Sequence, residues 1–200
     1  MQLFAQPWWV NLLIVIPIAV AWFWRGRPLD TSLSQLGWAA AFAGGFGFVE
    51  AAVVVYLRAA SGLLPGYQGT LAEVARFAGA TYRQDQVALP PSLLTVEVFR
   101  EAATMVMLLA VAMVAARIAR ERWAVFLWCF AIWDAAYYAG LWATIRWPQS
   151  LTTRDVLFLI PVPWIAQVWF PLLIDAAVVA AVLRSRRPGT AIARSRAWAA

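Results

Sequence analysis

Residues 123–145 read WAVFLWCFAIWDAAYYAGLWATI. Asp134 is the single formal charge in that run. A helix that crosses the hydrocarbon core of a bilayer needs about 20 apolar residues, and this stretch supplies them without interruption. Apolar and polar positions do not alternate along it, which excludes a membrane β-strand. Working outward, comparable runs fall at about 8–24, 35–59, 93–116 and 156–183. The whole chain agrees. Its 200 residues are 64% hydrophobic and only 13% charged, whereas a soluble domain carries about a quarter charged residues. The expectation is an all-α fold: a polytopic integral membrane bundle of about five transmembrane helices, one domain over 1–183. The extreme N-terminus lacks a basic n-region and a clear small-residue cleavage site, so the first run is expected to stay on the chain.

All 16 basic residues are arginine. Five spans distribute them unequally between the two sides. Ten collect on one side: Arg25, Arg27, Arg117, Arg120, Arg122, Arg184, Arg186, Arg187, Arg194 and Arg196. Arg76, Arg83, Arg146 and Arg154 collect on the other, and Arg58 and Arg100 fall within or near the membrane. Excess arginine marks the cytoplasmic side, so the expected topology is N-terminus out and C-terminus in. Trp8, Trp9, Trp22, Trp24, Trp123, Trp142 and Trp147 fall near span ends, where an interfacial aromatic belt belongs. Apolar helices and a lysine-free, arginine-rich composition suggest a bacterial inner membrane. The +6 formal charge is therefore read as topology and lipid contact, and nucleic acid is not an expected partner.

The loop 60–92 is expected outside. Leu71, Val74, Ala75 and Ala78 share one helical face there, which predicts a short amphipathic helix lying on the surface. Residues 184–200 form a basic tail expected in the cytoplasm beside anionic lipid. In FLIPVPWIAQVWFP, 158–171, each of Pro161, Pro163 and Pro171 lacks an N–H. The fifth span is expected to break near Pro161 and Pro163, as a half-helix, a re-entrant piece or a kink. Such breaks are tolerated at membrane depth where protein covers the backbone. Asp155 is explained by a helix N-terminus at the outer interface, and Asp175 has no evident partner.

The costly residues lie in VEVFREAATM, 96–105, where Glu97, Arg100 and Glu101 interrupt an apolar run. An ionisable group facing lipid costs at least about 2.5 kcal/mol, so such groups turn inward and pair. Rise per residue places Glu50 and Arg58 of the second run, the trio of the third and Asp134 of the fourth at similar depth. Glu50, Val54 and Arg58 share a face at four-residue spacing, as do Glu97 and Glu101, with Thr104 continuing it. Arg100 is in reach of Glu97. The reading is one polar pocket in the outer half, formed by Glu50, Arg58, Glu97, Arg100, Glu101 and Asp134. Tyr137, Tyr138, Trp164 and Gln167 are placed at its edge. Four carboxyls against two guanidiniums leave a negative excess that low dielectric does not tolerate. Protons or a bound cation must balance it.

Absent residues narrow the chemistry. The chain has no histidine, so Ser–His–Asp and Cys–His nucleophiles, Glu-x-x-His di-iron sites and histidine-ligated haem are set aside. No cofactor and no dedicated metal site are expected, although an all-carboxylate cation site stays compatible with the residues. The lone Cys129 reads as a small buried apolar residue. Ala40 and Gly44, and Ala43 and Gly47, are spaced for close helix approach. Three functions follow, in this order. The first is a small membrane protein that binds or moves a cation, a proton or a small polar solute. The second is an accessory subunit whose charges hold helices together, with a homo-oligomer or a membrane-complex partner. The third is a membrane enzyme on a lipid-like substrate, with a carboxylate acid–base pair beside Tyr137 or Tyr138.

Overall fold

The computed structural model describes residues 4–60 and 91–187. The amphipathic helix expected within 60–92 and most of the basic tail lie outside them. After a 3-10 segment, Trp8–Ile14, come α1 (Val15–Trp24), α2 (Leu33–Ala60), α3 (Pro91–Ala115) and α4 (Ala119–Ile145). A hairpin of β1 (Arg154–Phe158) and β2 (Trp164–Gln167) follows, then α5 (Trp169–Arg184). The described residues are mostly helical, at 73%. Among the described residues, three helices are long and apolar enough to cross a membrane: Leu33–Arg58, Pro91–Ala115 and Ala119–Ile145. Their outer faces are lipid-like; Val114, Trp38 and Phe99 are 89%, 78% and 72% exposed.

The expected helical fifth span over 156–183 is corrected. Its first part is the hairpin, so the fold is not purely α-helical. Pro161 and Pro163 sit in the turn, and a residue before proline is pushed out of the helical region. Ile160 and Val162 both precede proline, which leaves that stretch only extended or turn conformations. The strands pair antiparallel, Arg154 opposite Gln167 and Asp155 opposite Ala166, with an irregularity between Val156 and Phe158. The N-terminal segment covers the free edge of β2: Gln6 and Ile165 exchange backbone hydrogen bonds of 2.8 and 2.7 Å. Pro171 does not break α5, because it occupies the first turn, where the missing N–H is not needed. At 16 residues, α5 rises only about 24 Å.

Contacts along the helices fix their directions. Trp128 Nε1 donates to the Leu36 carbonyl at 3.0 Å, and Arg58 lies over the Trp147 ring at 4.8 Å. Residue numbers therefore rise together along α2 and α4, which run parallel. Gln35 reaches the Ala115 carbonyl at 3.2 Å while Glu50 meets Arg100, so α3 runs antiparallel to both. Glycine permits the tight α2–α4 seam. A Cβ on Gly47 would stand 2.3 Å from the Trp133 carbonyl oxygen, and one on Gly140 2.8 Å from Ala51 Cβ. Gly44 has nothing within 4 Å, so the packing stripe is Ala43–Gly47–Ala51 and Gly44 stands outside it. Leu29 N–H donates to the Ser185 carbonyl at 2.8 Å, joining the end of α1 to the end of α5. Arg25, Arg27, Arg117, Arg120, Arg122, Arg184, Arg186 and Arg187 therefore share one end of the bundle.

Candidate functional site

A band of buried polar residues crosses this apolar bundle: Glu50, Arg58, Glu97, Glu101, Thr104, Asp134, Asp155, Gln167 and Asp175. Three helices and β1 bring most of them to one cavity of about 130 Å³, larger than a single water needs. Of the ten residues singled out in the sequence, eight line it: Glu50, Arg58, Glu97, Arg100, Glu101, Asp134, Tyr137 and Tyr138. Two do not. Trp164 stands behind the wall, its ring 5.4 Å from Phe158 and 5.1 Å from Trp9. Gln167 is buried on β2 and accepts a 2.7 Å hydrogen bond from Trp169 Nε1. Their expected places at the edge assume a helix where strands form.

Helical spacing explains the inner order of the site. Arg100, on α3, donates from Nε to Glu97 Oε2 at 2.8 Å, one turn earlier. Its Nη1 pairs with Glu50 on α2, and Thr104, one turn further along α3, donates to the other oxygen of Glu50. One guanidinium thus bridges two carboxylates of different helices, with Glu50 and Glu97 side chains only 5% and 8% exposed. Glu101 instead accepts the backbone N–H of Leu159 at 2.9 and 3.1 Å. That bond secures the hairpin and gives a backbone donor near the turn its partner. Glu101 lies ten residues into α3, about 15 Å along its axis, so the hairpin turn reaches well down the bundle.

Two acids took roles the sequence did not reveal. Asp155, expected at the surface as a helix cap, is 1% exposed and accepts the Tyr138 hydroxyl at 2.9 Å. It lines the cavity, and the Arg58 charge bears on it. Asp175 is not alone: it lies beside Asp134, close enough for each charge to act on the other. No N–H or hydroxyl donor of the described residues reaches Oδ2 of either. Two carboxylates side by side in a buried site repel each other unless one holds a proton or a cation lies between them.

The cavity wall therefore carries five carboxyl groups, Glu50, Glu97, Glu101, Asp134 and Asp155, against the guanidiniums of Arg58 and Arg100. Trp133, also in the wall, leaves its indole N–H without an acceptor among the described residues. Among the described residues, no three acidic or cysteine side chains are grouped to hold a metal ion. Compared with protein-family models, with curated proteins and with solved structures, the chain matches none.

Proposed function

We propose that this chain is a small multi-pass membrane protein whose carboxylate–arginine cavity binds, and in a membrane moves, a small cationic species: a proton, a cation or a polar cationic solute. The observation that carries the reading is the charge balance of the cavity, five carboxyl groups to two guanidiniums. A buried excess of negative charge must be neutralised in place. Arg100 and Arg58 hold part of the acid set, and the remainder is left for protons or cargo. Among the described residues no three acidic side chains are grouped to hold a metal ion, and a proton or an organic cation suits the wall better than a bare divalent ion. In this reading five segments cross the membrane, the arginine-rich end faces the cytoplasm and the cavity lies nearer the opposite face, in a bacterial inner membrane.

The test is a thermal-unfolding screen of the purified chain against monovalent and organic cations. Glu97→Gln should fold and lose the cation-dependent rise of the midpoint. A second reading, a charged network that only locks helices, is favoured by the Arg100 bridge and by Glu101 holding Leu159. It predicts that neutralising any one of Glu50, Glu97 and Glu101 prevents folding, and that no cation shifts the wild-type midpoint.

A further inference from the structure

The arginine-rich end carries a second recess, about 850 Å³, between α1 and α5. Its length is apolar, with Ile14, Ile18, Leu173 and Ile174 in the wall. The room comes from small side chains, Ala21 on one helix and Ala177 and Ala180 on the other. At one end the lining changes to Arg25, Arg184 and Arg186, and among the described residues no carboxylate lines the recess.

Backbone contacts join the two segments that carry these arginines. Gly26, at φ +82°, turns the chain directly after α1. Leu29 then donates to Ser185 at 2.8 Å and accepts from Arg187 N–H at 3.1 Å. Nearby acids are engaged elsewhere. Asp30 pairs with Arg187 at 3.4 Å, and Glu121 accepts the Asp30 N–H at 3.1 Å. Arg186 commits Nε to the Thr31 carbonyl at 2.9 Å, and among the described residues its terminal donors have no further partner. The ten residues of α1 rise about 15 Å, half of a hydrocarbon core about 30 Å thick. The apolar part of the recess is thus one leaflet deep and ends in positive charge.

We propose that this recess seats one anionic phospholipid of the leaflet at the arginine-rich end, an acyl chain lying between α1 and α5 and the phosphate headgroup held by Arg25, Arg184 and Arg186. Basic pockets between membrane helices are suited to anionic headgroups, and guanidinium pairs phosphate through two parallel hydrogen bonds. Residues 188–200 add Arg194 and Arg196 and no acid, so they bring no negative charge that could balance these arginines. The proposal rests on the helices lying in a membrane and is independent of the carboxylate cavity.

The experiment titrates the full chain, in neutral detergent, with phosphatidylglycerol or with phosphatidylcholine of the same acyl chains, and follows thermal unfolding by tryptophan fluorescence. Phosphatidylglycerol should raise the midpoint saturably, at concentrations at least about tenfold below those of phosphatidylcholine. The R25Q/R184Q double variant should lose that preference. Ala21→Trp, at an exposed position, should weaken the response by filling the acyl path, and it carries the test if the double variant fails to fold. Equal effects of the two lipids, or a preference undiminished in the variants, would overturn the proposal. So would an equal shift from inorganic phosphate alone, which would indicate a free-anion site. A dimer in neutral detergent that phosphatidylglycerol leaves unaltered would assign the recess to a second copy and overturn it too.

Discussion

Arg100 is the residue on which the polar band turns. Its side chain is 25% exposed, while the two carboxylates it bridges are nearly covered. Removing it leaves both acids buried without their counter-ion. Arg100→Ala should therefore cost about 3 kcal/mol, the lower end of the penalty for breaking a buried pair, measured as a fall in unfolding midpoint in detergent. Asp175→Asn tests the acid pair differently. The amide can donate to Asp134 without a shared proton, so stability should stay near wild type, whereas Asp175→Ala should lose about 1–3 kcal/mol by orphaning Asp134. The side chains that helical spacing governs, Glu50, Arg58, Glu97 and Arg100, were legible in the sequence, because a charge in an apolar run declares its cost. Asp155 and Asp175 were not. Asp155 owes its burial to strand register, and Asp175 owes its partner to a crossing of α4 and α5 that no local pattern encodes.

At the scale of elements, the α2–α4 seam makes the sharpest contrast. Gly47→Ala would drive a methyl group into the Trp133 carbonyl. Separating the helices should cost about 1–3 kcal/mol, the range for overpacking. Gly44→Ala meets nothing within 4 Å and should be neutral or stabilising by up to about 1 kcal/mol through helix propensity. Thermal unfolding of the two variants side by side checks both. The long helices were readable from their apolar runs. The hairpin was only half readable: prolines announce that a helix stops, but four- and five-residue strands carry too few alternating positions to announce what replaces it.

At the scale of the molecule, antiparallel succession gathers the arginines of α1, the α3–α4 turn and α5 at one end, away from the hairpin. The positive-inside reading of that asymmetry has a direct check. In intact bacterial cells making the protein, a membrane-impermeant thiol reagent should label Gln68→Cys. It should label Arg187→Cys only after permeabilisation; the reverse pattern would invert the topology. The excess of acid buried in the cavity can be read by infrared difference spectroscopy. The purified chain is placed in lipid at neutral pH, first with only a bulky cation present and then with a small one. A protonated-carboxyl absorption should appear in the first condition, shrink when the small cation enters, and be altered by Asp175→Asn. A spectrum without protonated carboxyl in the first condition, and unchanged by the small cation, would contradict the proposed charge balance.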